Sequence, residues 1–465
     1  MVTSTAGVYT YNWDTAFAIP IPDVNKTIVD QKSSPPGFTT TAADSYTVSA
    51  DFGDWQICMG GDGKNVRFSI PMNGIVIDYS SGTRVTCATG TAIIEINLHY
   101  IPHETSTDVP SNPVALTAKT TSDDPSTPVA ALVGQVTLSP DPGTISNAVF
   151  GQALLDWING NLGEFNHIFS VVDLNRMIDQ QQWGFVTPNY TSYAYLDGNT
   201  LEDSILGVLT MTGDRNGEDL SEQISPSAIP SGSEAGFLVS QERTLYDLVR
   251  PAIMVAYPGL TDATFLMSDD KTRLYLVPDV SVDMPPVDHN GSTYYPKLTA
   301  LTVETDGETY TVTSTTNTYI TFGVTSETTA TNWYTLNLGT SNNGQTITFI
   351  QTQPTDQQYA VHQDPGVIIT EVILSIIIGL VSLICAPLTD GASIMLGGLV
   401  IGLLLGATQI TTATIESVNM DTSPAVDLLM VNAVDPIKWT GSDSLKLDYA
   451  HPNISLQLGG DPLFV

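Results

Sequence analysis

Apolar and polar residues alternate strictly along much of this chain, and that period of two predicts half-buried strands. In the first hundred residues the pattern marks YTYNWDTAFAIPI, SYTVSADF, DWQICMGG, NVRFSIPMNGIVIDY and TAIIEINLHYI. Gly60–Gly61–Asp62–Gly63 and Asn73–Gly74 supply turn residues between them. FNHIFSVVDL, SYAYL and SILGVLTMTG continue the pattern. It is strongest from Lys297 to Thr352, in LTALTVET, ETYTVTSTT, TYITFGVTS and WYTLNLGTSNNGQTITFIQT. Asp306–Gly307 and Asn343–Gly344 are tight-turn signals there, so antiparallel hairpins are expected. A last β-like portion runs from Asp427 to Val465.

Helical spacing is confined to a few segments. A short helix is expected at Pro22–Gln31, before a Pro-Pro-Gly break at Pro35–Gly37. TISNAVFGQALLDWINGNL predicts an amphipathic helix lying on a sheet, with Thr144 or Ser146 as N-cap and Asn159–Gly160 as its stop. Its stripes are Val149, Ala153, Trp157 and Phe150, Leu154, Ile158. SQERTLYDLVRPAIMVAY predicts another, capped by Ser240 and kinked at Pro251. His103 to Pro128 and Asp214 to Gly236 are polar and read as surface loops.

One region departs from both patterns. No residue is charged from Val372 to Thr389 or from Gly391 to Ile415, and each run is long enough for a membrane-spanning helix. Pro387 and Asp390–Gly391 would form the turn of a helical hairpin spanning 367–415. Gly398, Gly402 and Gly406 recur every four residues and leave one smooth, close-packing face. The flanks oppose a membrane: Asp364, Glu371 and Glu416 bracket the arms, and no Lys or Arg occurs between Lys297 and Lys438. Two readings follow from these residues, a hairpin buried under a curved sheet and one that inserts into a bilayer or forms a pore. In the buried reading, Ile376, Ile377, Leu380, Leu383, Leu399, Leu403 and Leu404 line an apolar groove for a ligand.

Charge narrows the partners. The 465 residues carry 15 Lys and Arg against 49 Asp and Glu, a formal charge of −34. Such a field repels phosphate backbones and excludes nucleic acid as a partner. Arg243, Arg250, Lys271 and Arg273 form the one visible basic cluster, and their plainer reading is exposed charges balancing nearby acids. Cys58, Cys87 and Cys385 are too few and too scattered for a disulfide framework, and Cys58 and Cys87 read as buried free thiols. The start, MVTSTAGVYTYNWDTAF, has neither the basic end nor the apolar stretch of a signal peptide. The expectation is synthesis in the cytoplasm, with any release by a non-classical route or lysis.

Catalytic patterns are missing. Gly232-Ser-Glu-Ala-Gly236 misplaces the serine of a nucleophile elbow, and Gly63-Lys64 is followed by Asn65, which a P-loop does not allow. His99 and His103 sit four apart at a strand end with Pro102 between, a poor metal pair. The acids of Asp197-Gly-Asn-Thr-Leu-Glu202-Asp203 lack calcium-loop spacing and read as a solvated turn. No catalytic residue, metal or cofactor is expected, and the chain reads as a non-enzyme.

Several stretches together resemble the clostridial forty-seven-kilodalton and OrfX family, whose genes lie beside those of botulinum-type neurotoxins. Tyr11-Asn12-Trp13-Asp14-Thr15 resembles the family's opening Gly-Trp-Asp-Thr, with Asn12 in place of the glycine, and Val24-Asn25 and Ile28 follow. Phe165-Asn-His167-Ile-Phe169-Ser-Val-Val172-Asp-Leu-Asn175, Tyr193-Ala194-Tyr195, Ser204-Ile-Leu206-Gly207-Val-Leu209-Thr-Met211-Thr212 and Gly236-Phe-Leu-Val-Ser240 also match. The resemblance implies a tubular lipid-binding (TULIP) fold of α+β, β-rich class. In it, highly curved antiparallel sheets wrap long apolar helices in two elongated modules, here 1–240 and 241–465. It further implies an accessory protein with an apolar groove, holding a lipid or acyl chain or assembling with related proteins or a toxin. On that plan the 367–415 hairpin is enclosed by sheet, without stable transmembrane insertion.

Overall fold

The computed structural model describes residues 7–42, 45–103, 112–122, 124, 126–174, 187–257, 259–284, 286–341, 344–378 and 437–464. The chain is β-rich, and its antiparallel sheet curls into a half-barrel. A six-stranded sheet runs in the order Pro188–Leu196, Ile205–Thr212, Thr15–Pro20, Ala235–Val239, Ser455–Phe464, Ser442–Asn453. Its middle strands, AFAI, ILGVLTMT and AGFLV, are buried on both faces, which is why they read as continuous apolar runs.

A ten-stranded sheet is built around two long strands, Asn65–Tyr79 and Arg84–Pro102. The Asn73–Gly74 signal does not end the first of them. Gly74 sits at φ +59, and pairing with the neighbouring strand slips between Ser49 and Asp51. The glycine therefore makes a bulge, whose left-handed residue is the same chemistry a hairpin turn would use. The loop expected from His103 to Pro128 also contains a strand, Asn112–Ala118, which joins Arg84–Pro102 to Ile168–Leu174. Its flanking prolines and threonines masked a short run, Val114–Leu116, that packs inward.

A helix at Thr144–Asn161 lies on this sheet and buries Phe150, Ala153, Leu154 and Ile158, while Val149 and Trp157 pack at its margin. No side chain caps its start, where Gly143 takes φ +84. The first helix, Ile21–Asp30, opens with Pro22 in its first turn, where a missing N–H costs nothing.

A seven-stranded sheet follows, in the order Phe265–Met267, Arg273–Leu276, Lys297–Thr305, Tyr310–Thr321, Val324–Ser341, Gly344–Gln363, with Val282–Asp283 beside Lys297–Thr305. Ahead of it, Ser240 caps a helical run by accepting from the Arg243 amide. The run passes through a π-helical stretch, Thr244–Val249, into Arg250–Ala256. Pro251 cannot donate to the preceding turn, and the wider π turn accommodates its ring without ending the helix. Leu245, Val249 and Ile253 from this run join Leu274, Leu298, Leu301 and Val303 in one apolar cluster that also contains the core of the ten-stranded sheet and one face of the six-stranded sheet, whose other face packs separately around Trp13 and Leu209. Phe17 ties the sheets together, meeting Phe237 and Trp439 edge-on at 5.9 Å each.

Candidate functional site: the inner face of the third sheet

Two of the predicted groove residues lie in a helical stretch, described over 371–378, that follows the long Gly344–Gln363 strand. Ile377 is fully buried against Tyr294, Ile320, Val324 and Ala330, and Ile376 and Ile373 pack at the edge of the same cluster. Val372, Leu374 and Ile378 of that helix stay exposed, as does Ile368 before it. Leu380, Leu383, Leu399, Leu403, Leu404, Gly398, Gly402 and Gly406 lie outside the described residues. The structure thus brings Ile376 and Ile377 onto the inner face of the third sheet. Among the described residues, no helix is long and apolar enough to cross a membrane.

The sheet face beside this helix is polar where a core should be apolar. Ser314, Thr316 and Thr318 on one strand, and Ser326, Thr328 and Asn332 on the next, are all buried. Thr316 faces Thr328 across the ladder, and Thr318 faces Ser326. Those four hydroxyls form a rectangular block on one face, because every second residue of a strand shares a face. Thr316 Oγ1 donates to the Thr328 carbonyl at 3.4 Å. The hydroxyls of Thr318, Ser326 and Thr328 are buried without a hydrogen-bond partner among the described residues. Ile320 and Val324 border the block at one end; at the other, Ser314 and Ala330 come next, then Val312 and Asn332, before the apolar Tyr310 and Tyr334.

Sequence reading missed this block. The segment TVTSTTNTYI places Thr or Ser on both faces, so periodicity gave no sign of which face was covered.

The polar residues singled out from the sequence are spent on internal ties. Asp14, of the Trp-Asp-Thr opening, is buried; its carboxylate accepts from the Thr212 amide at 2.8 Å and the Thr212 hydroxyl at 2.9 Å, and pairs with Arg215. Trp13 Nε1 donates to the Ser221 carbonyl at 3.0 Å. Arg243 pairs with Asp247 at 2.8 Å, and burial raises the Asp247 carboxyl above its usual range. Arg250 lies 3.5 Å over the Tyr246 ring and 3.3 Å from Asp262, and Lys271 lies 3.4 Å from Glu242. Arg243 and Arg250 are thus largely buried in ion pairs, not exposed as expected, because the π-helical run packs their stems against the sheet. Arg273 is exposed, 5.3 Å from the Tyr275 ring.

Asp197 accepts from the Gly60 amide at 2.9 Å and from Tyr195 at 2.8 Å, fixing a turn. His99 pairs across the ladder with Thr117, and among the described residues no group of His, Cys, Asp or Glu could hold a metal ion. Cys58 and Cys87 are free thiols, Cys58 half-buried and Cys87 buried; Cys385 lies outside the described residues. His167 is buried between Phe165 and Phe169, with Ser33 Oγ 2.8 Å from Nδ1 and Thr27 Oγ1 3.3 Å from Nε2. Burial pulls its pKa down to about 4, so the ring is neutral at pH 7.

These features define an antiparallel, curled-sheet protein whose conspicuous charged groups hold the fold together and whose third sheet gathers three buried, unpaired hydroxyls on one face. The chain belongs to the OrfX-like family, whose model, described as Protein OrfX2/OrfX3/P47, matches residues 10–460. It is 34% identical to Protein OrfX3 of Paraclostridium bifermentans over 97% of this chain and 98% of that protein. Identity to Protein OrfX3 of Clostridium botulinum (strain Kyoto / Type A2) is 29% over the same shares of the two chains. The structure of P47 from Clostridium botulinum A2 superposes with a TM-score of 0.71 at 17% identity, covering 99% of this chain and 100% of that one, a likeness of fold.

Proposed function

We propose that this protein is a non-enzymatic accessory protein of a bacterial toxin gene cluster that holds an apolar ligand, such as an acyl chain, against the inner face of its third sheet. The observation that carries this reading is the seating of Ile376 and Ile377 beside Ile320 and Val324, next to buried hydroxyls that have no partner among the described residues. A TULIP-like arrangement, with sheet wrapped around apolar helix, is the plan under which such a face receives a ligand. At about 25 cal/mol per Å² of apolar area removed from water, an acyl chain gains affinity by burial alone. Organic extraction and native mass spectrometry of the purified protein test it. A co-purifying apolar molecule, displaced in Ile377→Asp, is expected; no bound species together with no uptake of a neutral fluorescent probe would sink the idea.

A second reading, a scaffold that assembles with related family proteins or a toxin through its outer surface, draws on a different observation. The space between the Thr144–Asn161 helix and the second sheet is filled by its own aromatics: Phe38, Phe52, Trp55, Phe150, Trp157 and Phe165, with neighbouring rings 5.1 to 5.7 Å apart. That half leaves its ligand role to side chains. Co-purification with products of neighbouring genes separates the two, since only the scaffold requires a stable protein partner.

A further inference from the structure

We infer that the hydroxyl block of Thr316, Thr318, Ser326 and Thr328 binds the oxygen atoms of an uncharged, ester-bearing lipid such as a diacylglycerol, in preference to anionic or purely hydrocarbon molecules. This rests on the apolar-ligand reading above and specifies the head of that ligand.

Three observations carry it. First, three of the four hydroxyls are buried and have no partner among the described residues, at relative exposures of 0% for Thr318, 1% for Ser326 and 2% for Thr328. A buried hydroxyl without a partner is costly, and several on one face are accounted for by an acceptor brought in from outside the chain. Second, their spacing is that of a ladder. Neighbours across the strands stand about 5 Å apart and neighbours along a strand about 7 Å, which two ester groups on adjacent carbons can span. Third, the block is neutral. Glu327 lies between Ser326 and Thr328 in sequence and therefore points to the opposite face, where it meets His362 at 3.8 Å. No Lys or Arg occurs from residue 298 to 437, and Lys297, opposite Asn317 on the neighbouring strand, is exposed and paired with Asp283, so a buried phosphate or carboxylate there would lack a countercharge from the two strands that carry the block. Hydroxyls donate to ester carbonyls without needing one.

The flanking residues suit such a molecule. Ile320, Val324 and Ile377 offer apolar surface on one side of the block, and Ala330, then Val312, on the other.

The test uses the full-length protein and N-phenyl-1-naphthylamine, a neutral apolar fluorophore, displaced in turn by dioctanoylglycerol, by its diether analogue and by dioctanoyl phosphatidate. Wild-type protein should take up the fluorophore and release it to the diester at about one-tenth the concentration needed for the diether or the phosphatidate. In Thr318→Val/Ser326→Ala/Thr328→Val the fluorophore should still bind and the tenfold preference should vanish. Ser326→Ala alone, a smaller change that keeps the strand residues in place, should reduce the preference severalfold. A fluorophore that binds wild type with equal displacement by diester and diether overturns the headgroup assignment and leaves the apolar site standing. So does a triple variant, folded by circular dichroism, that keeps the preference. No uptake by wild type overturns both.

Discussion

At the scale of single residues, His167 is a buried base that the fold keeps uncharged. Its pKa is pulled down to about 4 by burial, against roughly 6.5 in an unfolded chain. Above pH 6.5 both states are neutral and the full stability is present. Between 6.5 and 4 the unfolded chain binds the proton first, so stability is lost as pH falls through that window, by roughly 3 kcal/mol in total. Urea unfolding at pH 7 and pH 4.5 should show this loss, and His167→Gln should lose about 2 kcal/mol less over the same interval, the carboxylates contributing equally to both. Parallel pH slopes in the two proteins would refute a buried neutral His167. Thr318 makes an opposite case. Its hydroxyl has no partner among the described residues, so Thr318→Val keeps the shape and removes a desolvated dipole. Ligand-free protein should be unchanged or about 1 kcal/mol more stable by urea denaturation, whereas a hydroxyl serving the fold through a hydrogen bond would cost about that much.

At the scale of elements, Asp14 joins three pieces of chain: the Thr15–Pro20 strand it precedes, the Ile205–Thr212 strand through Thr212, and the following loop through Arg215. Asp14→Ala leaves the partly exposed Arg215 with Glu242 alone and frees the buried Thr212 amide and hydroxyl, and should cost about 3 kcal/mol in urea unfolding, with Asp14→Ala/Arg215→Met recovering part of it. A loss below about 1 kcal/mol would show the pair to be a surface-like contact. The aromatic and acidic residues of the opening motif were legible as a family mark but not as a knot, because their partners lie some two hundred positions away, where no local pattern connects them. Local signals did better where chemistry and element coincide. Alternation located the long hairpins, Ser240 capped the helix it was expected to cap, and Asp306–Gly307 closed its turn, with Gly307 at φ +104. Asn73–Gly74 misled because a bulge and a turn demand the same left-handed residue, and only pairing on the neighbouring strand tells them apart.

At the scale of the whole molecule, the candidate site was half legible. Ile376 and Ile377 stand out by hydropathy alone, whereas the hydroxyl block depends on which face of a threonine-rich sheet is covered, a tertiary fact. The same long-range order bears on how the chain comes apart. The Ser455–Phe464 strand pairs with Ala235–Val239, which pairs with Thr15–Pro20, and Ile437–Trp439 pairs with Ile168–Leu174. The last part of the chain therefore completes sheets begun by the first, and one apolar cluster runs from Phe17 through Phe237 and Trp439 to Leu298 and Val303. Separate modules divided near residue 240 would unfold independently only if few contacts crossed that point. With these pairings crossing it, calorimetry should record a single transition whose calorimetric and van't Hoff enthalpies agree within about 20%, the signature of two-state unfolding. Deleting the residues after Asn453 should abolish that transition, because it leaves Ala235–Val239 with an open edge in the middle of its sheet. Two resolved transitions in the full chain, or a truncated protein that keeps a sharp one, would mean that the two halves hold together independently of the returning strands.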